Sequence, residues 1–190
     1  VARADKIAES GGEYFLANQF RNRDNVLAHY HTTGKEILAQ IHGRIDAFVA
    51  GVGTGGTLMG VGKVLRERNP ELRLVAVEPE EAAVLSGRKE VGDHKITGIG
   101  DGFVPEIVDV NQIDQVIAIK SDDAVEMARR MSRERGLMVG VSSGANMLAA
   151  IQVIDELGRN KRVVTVLPDR TERYFCLLYT SPSPRDRTRS

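Results

Sequence analysis

The sequence lacks most of the features that would tie it to a compartment or a charged partner. One cysteine, Cys176, stands among 190 residues, which excludes an internal disulfide. The 26 basic residues balance the 26 acidic ones, so no net field draws the chain to nucleic acid or to an anionic membrane. There is no long apolar run and no signal-peptide pattern, so no membrane association is expected and a cytoplasmic setting is. Histidine is sparse: His29 and His31 lie close in sequence, while His42 and His94 are isolated. With no cysteine or acidic cluster to complete a ligand set, no metal site is expected. What remains is a chain with 42% hydrophobic residues, long enough for one sizeable domain with a real core.

The most informative stretch is Arg44 to Asn69. Residues 45–50 form a short apolar run suited to a buried strand and too short for a helix. Gly51, Gly53, Gly55 and Gly56 follow, with Thr54 and Thr57 among them, and then Leu58, Val61, Val64 and Leu65 recur at helical spacing until Asn69-Pro70. Strand, glycine loop and helix make a device for holding a phosphate. Glycine lets the loop turn its N–H groups inward, the helix N-terminus adds free donors and partial positive charge, and the threonine hydroxyls can complete the shell. The spacing Gly51-x-Gly53-x-x-Gly56, with Glu78 at the end of LRLVAVE, also satisfies a dinucleotide fingerprint. On this loop alone, an NAD(P)-dependent oxidoreductase stays open beside other phosphate ligands.

Around that stretch, strands and helices alternate without hairpin signals, which gives an α/β class with a mainly parallel sheet and helices on both faces. Parallel strands are predicted near 45–50, 72–78, 116–119 and 163–167, and helices near 57–68, 122–135 and 143–156. Residues 2–10 read as the end of a helix stopped by Gly11-Gly12, residues 14–20 as an extended run, and RNRDN after it as a loop. Thr33 to Glu36 predicts a capping box, with Ile37, Leu38 and Ile41 as the buried stripe of its helix and Gly43 as the stop. Ser121 is expected to cap the next helix, with Val125, Ala128 and Met131 inward, and one serine of Ser142-Ser143 to cap the one after. Met127, Met131 and Met147 read as helix core.

Three further clusters fall where strands and helices are expected to meet. These are Thr97 to Phe103 (TGIGDGF), a flexible loop with unencumbered backbone; Gly140 to Ala145 (GVSSGA); and Leu167-Pro168-Asp169 with Glu172-Arg173-Tyr174. In open parallel sheets ligands bind at the carboxyl ends of the strands, so one crevice could collect all four clusters. Their order, GTGGT, GIGxGF, SSGA and LPD..ERY, resembles the cysteine synthase (O-acetylserine sulfhydrylase) family of fold-type II pyridoxal-phosphate enzymes. The resemblance covers roughly residues 1 to 175, and four spaced motifs carry it.

The resemblance implies a tryptophan synthase beta-like fold, incomplete at the N-terminus. It implies pyridoxal 5'-phosphate as cofactor, held through its phosphate by Gly53, Thr54, Gly55, Gly56 and Thr57, with Ser142 on the pyridine nitrogen. Gly98, Ile99 and Gly100 would line the substrate side, and Glu78 would be structural. A neutral hydroxyl leaves the ring nitrogen unprotonated and the ring a milder electron sink, which suits β-elimination and β-replacement. The implied substrates are O-acetylserine and sulfide and the implied assembly a homodimer, with cystathionine β-synthase-like enzymes as neighbours; Asp101-Gly102-Phe103 leans toward the cysteine synthases. The family's Schiff-base lysine lies in a motif that none of Lys6, Lys35, Lys63, Lys89, Lys95, Lys120 and Lys161 matches. The chain, which starts at Val1 inside a predicted helix, is therefore expected to be a C-terminal part, inactive alone and with no catalytic lysine of its own. Residues 1–20 would end a small N-terminal domain and its crossover, and 21–175 would form the large cofactor-binding domain. Residues 176–190, aperiodic and rich in Ser-Pro and Arg, are expected to be a disordered tail or a non-native, adaptor-like extension that builds no element.

Overall fold

The computed structural model describes residues 2–11 and 14–174. Strands β1 (Ala47–Gly51), β2 (Arg73–Pro79), β3 (Gln115–Ile119) and β4 (Val163–Thr165) form one sheet in the order β3-β2-β1-β4. Every pairing is parallel, with Ala47 opposite both Arg73 and Val163, and Val77 opposite Ile117. Helices α1 (Ala2–Glu9), α2 (Asp24–His31), α3 (Thr33–Gln40), α4 (Gly56–Arg68), α5 (Ser121–Arg135) and α6 (Val141–Leu157) complete the framework. The predicted tail 176–190, with Cys176, lies outside the described residues, as does Gly12 of the expected Gly11-Gly12 stop.

Successive residues of a strand point to opposite faces, and here both faces are buried. Val49, Val75, Val77 and Ile117 join Ala124, Ala128, Ala145, Ala149 and Val153 of α5 and α6 in one core. Phe48, Ala50, Leu74 and Ala76 join Leu58, Val61 and Leu65 of α4 in the other, with Ile37, Leu38 and Ile41 of α3 packed at its margin. From β1 the sheet grows outward through β2 and β3, and then the chain returns to place β4 on the far side of β1. That reversal opens a crevice at the carboxyl ends of β1 and β4, where an open α/β sheet holds its ligands.

Helix α2 corrects the expectation of a loop at RNRDN, since Asp24 and Asn25 open it. Its cause lies in α4, not in its own periodicity. Gly56 and Gly60, one turn apart on α4, present bare backbone to α2. A Cβ at Gly56 would overlap the Asn25 side chain, and one at Gly60 would overlap the Val26 carbonyl and lie 2.8 Å from His29 Cβ. The expected caps also resolve differently. The N-cap of α3 is Thr32, without a side-chain cap bond, and Thr33 Oγ1 pairs instead with His29 Nδ1 at 3.1 Å. Ser121 sits inside α5, where its Oγ accepts the Lys95 amide at 2.9 Å. Gly140, not a serine, is the N-cap of α6. Val125, Ala128, Met127 and Met131 are buried as expected.

At the other end of the sheet, Asp46 is a buried carboxylate that joins β1 to β4. It accepts the Arg162 amide at 2.9 Å, Arg44 Nε at 3.0 Å and Lys161 Nζ at 3.3 Å. Burial pushes its carboxyl up, but the Arg162 amide, Lys161 and Arg44 hold it below the ordinary aspartate value.

Two outcomes follow for stability. Gly60→Ala should destabilise the chain by about 1–3 kcal/mol in denaturant unfolding, because overpacking against α2 outweighs the better helix propensity of alanine. The Asp46 contribution is fully present above the unfolded carboxyl value of about 4 and is lost as pH falls through the lower folded value. The stability difference between wild type and Asp46→Asn should therefore shrink as unfolding is measured at progressively more acid pH.

Candidate functional site

The chain leaves β1 at Gly51 and enters α4 at Gly56, so Gly53, Thr54 and Gly55 form the turn between them. Gly55 has φ +87°, a left-handed conformation that favours glycine, and a Cβ there would overlap Val108. Among the described residues, none accepts a hydrogen bond from the amides of Gly53, Thr54 or Gly55, and the Gly56 amide reaches only Thr54 Oγ1 at 3.4 Å. Together with the free N–H groups of the first turn of α4, these donors make a neutral cradle for an anion.

The threonine hydroxyls are held from α2. Asn25 Nδ2 donates to Thr54 Oγ1 at 2.9 Å, and His29 Nε2 lies 3.2 Å from Thr57 Oγ1. Burial lowers the His29 value below that of an ordinary histidine, which keeps the ring neutral at pH 7. Thr54 keeps its own hydroxyl proton to donate elsewhere. Asn25 and His29 escape sequence inspection because the helix that carries them does; the one available signal was the Gly56/Gly60 spacing on the facing helix.

Gly98, Ile99 and Gly100 come to the same place. A Cβ on Gly53 would overlap the Gly98 carbonyl oxygen, and one on Gly51 would lie 2.9 Å from Ile99 Cγ2. The Gly100 amide donates to the Val52 carbonyl at 3.1 Å. This segment is thus anchored, in contrast to the unencumbered loop expected. Further on, Phe103 meets Phe20 edge to face with ring centroids 5.1 Å apart. Ser142 is buried in the first turn of α6, one turn before Asn146 on the same face. Asn146 donates to the Val166 carbonyl just past β4, and its Oδ1 would lie 3.2 Å from a Cβ on Gly51. That face of α6 is therefore turned toward the carboxyl ends of β1 and β4.

The last cluster stands beside this one. The Gly140 amide donates to the Asp169 carbonyl, Val139 pairs with Arg170 in an isolated antiparallel bridge, and Tyr174 donates its hydroxyl to Asp169. Burial and that carboxylate push the Tyr174 phenol up to about 12. Leu137 and Met138 are exposed, so the segment before α6 is not a core strand.

Glu78 removes the dinucleotide alternative. It is 1% exposed, and its carboxylate accepts the Leu85 amide at 2.8 Å, the Ser86 amide at 2.9 Å and the Ser86 hydroxyl at 2.6 Å. A ribose would find that carboxylate already engaged, in the structural role the resemblance implied. All seven lysines are exposed at the surface. Lys35 and Lys63 lie over the Tyr30 ring, Lys95 pairs with Asp122 and Lys161 with Asp46. Among the described residues no group of three or more His, Cys, Asp and Glu could hold a metal ion, and no helix is long and apolar enough to cross a membrane.

The residues present fit a phosphate monoester: a neutral cradle of amides, a helix N-terminus and two oriented hydroxyls. Gly53→Ala tests the cradle, because the new methyl would be driven into the Gly98 carbonyl. Pyridoxal phosphate affinity, followed by fluorescence, should fall by about tenfold or more, the equivalent of one to two lost hydrogen bonds. The unfolding midpoint should fall as well, as for Gly60→Ala, so the affinity is compared at a temperature where both proteins are folded.

Comparisons with known proteins agree with this geometry. The family model for "Pyridoxal-phosphate dependent enzyme" matches residues 1–169. A cysteine synthase of Staphylococcus aureus is 50% identical over 176 residues, covering 92% of this chain and 56% of that protein. Cysteine synthase 3 of Caenorhabditis elegans is 46% identical, with 52% of its length covered. The chain thus spans about half the length of these relatives. Among solved structures, cysteine synthase from Entamoeba histolytica superposes with a TM-score of 0.87 at 39% identity, over 98% of this chain and 56% of that one. A hydrogen sulfide-producing enzyme from Fusobacterium nucleatum gives 0.91 at 36% identity, over 96% of this chain and 56% of its own. With a parallel sheet, a glycine cradle after β1 and a family match along most of its length, the chain belongs to the pyridoxal-phosphate dependent enzymes, in their fold-type II cysteine synthase family.

Proposed function

We propose that this chain supplies the phosphate- and ring-binding part of a cytoplasmic, homodimeric cysteine synthase that replaces the acetate of O-acetylserine with sulfide to give L-cysteine. The observation that carries the proposal is the set of bare amides at Gly53, Thr54 and Gly55, placed at the N-terminus of α4 and beneath the Gly98 carbonyl. No cation is built into that turn, so the anion it suits is one held by dipoles and hydroxyls. The 50% identity to a cysteine synthase supports the choice of reaction.

Pyridoxal phosphate, when bound, supplies the electron sink for bond breaking at the carbons of the amino-acid substrate. The chain's own residues do the rest of the positioning. The loop amides and the Thr54 and Thr57 hydroxyls hold the phosphate, with Asn25 and His29 fixing the hydroxyl orientations. Ser142 donates a neutral hydrogen bond to the ring nitrogen and leaves it unprotonated. Gly98 to Gly100 close the substrate side. The anchoring lysine comes from a segment beyond this sequence: the lysines here are exposed, and four of them are engaged with Tyr30, Asp122 and Asp46.

Borohydride reduction of the chain with pyridoxal phosphate, followed by peptide mapping, should label no lysine stoichiometrically. Full labelling of one would place the anchor in this chain. In the enzyme that joins this chain to the N-terminal portion of a relative, Ser142→Ala should retain part of the β-replacement rate, since it removes one neutral hydrogen bond worth about 0.5–1.5 kcal/mol. Ser142→Asp should lose more, because a carboxylate would hold the ring nitrogen protonated. Equal rates for the two variants would remove Ser142 from the ring nitrogen.

A further inference from the structure

His94 has no part in the cofactor contacts described above, yet it touches the loop that covers them. Its Nε2 lies 3.0 Å from the Gly100 carbonyl oxygen. A carbonyl only accepts, so Nε2 carries the proton and donates it. Gly100 has φ +76°, and a Cβ there would lie 2.5 Å from Pro79 Cγ and 3.1 Å from His94 Nε2, so the imidazole and the end of β2 close around this one residue. On its other side the Gly100 amide is bonded to the Val52 carbonyl at the end of β1. Gly100 is thus gripped at both polar atoms, and two residues earlier the Gly98 carbonyl sits over Gly53.

The segment that carries the imidazole is held in turn. The Gly92 amide donates to the Glu81 carbonyl at 2.8 Å, and the Lys95 amide donates to Ser121 Oγ at 2.9 Å. Glu81 Oε1 accepts the Ser121 amide at 3.0 Å. Glu81 Oε2 and His94 Nδ1 are both buried without a hydrogen-bond partner. Burial pushes the Glu81 carboxyl up, but the amides of Ser121 and Glu81, the Ser121 hydroxyl and the charge of His94 hold it below the ordinary glutamate value. Among the described residues the ring's one hydrogen bond is therefore the one its Nε2–H gives to Gly100, and its place is set by the bonds of the backbone on either side of it.

We propose that His94 is the positioning residue of the substrate-side loop: its Nε2–H holds the Gly100 carbonyl and so sets the placement of the Gly98 carbonyl over the phosphate cradle at Gly53. This role rests on the cofactor-site function proposed above. It assigns to His94 an effect on ligand binding without contact to the ligand.

Hydrogen exchange and binding, both on the whole chain, test it. In His94→Leu the Gly100 amide should exchange about tenfold faster, the equivalent of one lost hydrogen bond, while β2 and α4 keep their protection. Pyridoxal phosphate affinity should fall several-fold in the same variant. His94→Gln, whose side-chain amide nitrogen sits at a reach similar to Nε2, should restore most of both. Unchanged exchange at Gly100 in His94→Leu overturns the proposal, as does a His94→Gln protein no better than His94→Leu. A loosened loop with unchanged cofactor affinity overturns it too. If the wild-type chain binds no pyridoxal phosphate, the cofactor-site function fails, while the exchange comparison still decides whether His94 holds the loop.

Discussion

Everything at the crevice depends on how closely the main chain of the glycine turn approaches its neighbours. Between β1 and α4 the backbone must come within contact distance of the Gly98 carbonyl, Val108 and Asn25 at once, and in each case the approaching residue is a glycine. A methyl group at Gly53, Gly55 or Gly56 would push one of these neighbours away. The same closeness leaves the loop amides uncovered by side chains, so they stay available to an anion without a cation being brought in. Packing and recognition are therefore one constraint, met by removing side chains.

How much of this was legible in the residues varies with where the information resides. β1, the glycine turn and α4 could be read directly, because an apolar run, a glycine cluster and a helical period follow one another within a single stretch. The parallel class and the burial of both faces were legible in apolar runs such as residues 74–77, while the strand order was not. The clusters around Gly98 and Ser142 were visible as glycine and serine runs, and the resemblance alone attached an expected ligand to them. Helix α2 was not legible: none of its residues is buried, and what fixes it is a facing glycine stripe on another helix. The hydroxyls misled for a related reason. Thr33 and Ser121 have the composition of caps, but their oxygens find partners distant in the chain or on another helix, and tertiary partners override local capping.

Charge is handled differently at the two ends of the sheet. At the amino ends of the strands Asp46 gathers an amide, a guanidinium and an ammonium around one buried carboxylate. At the carboxyl ends the groups on offer are amides, hydroxyls and a neutral imidazole. Glu78, the penultimate residue of β2, is consumed by its own following turn. The ion pairs of Asp46 thus lie at the end away from the one that must accept a ligand's charge.

The shallow seating of α2 has a dynamic consequence. A helix that rests on another through bare backbone, with no buried residue of its own, loses little apolar area when it lifts away. Its opening belongs to the low end of the local unfolding spectrum, well below the cost of disrupting the sheet. Asn25 and His29 travel with it, so each opening releases Thr54 and Thr57 together, and an anion bound by those hydroxyls acts as a clasp on the helix. Occupancy of the cradle and the order of α2 are two measures of a single equilibrium.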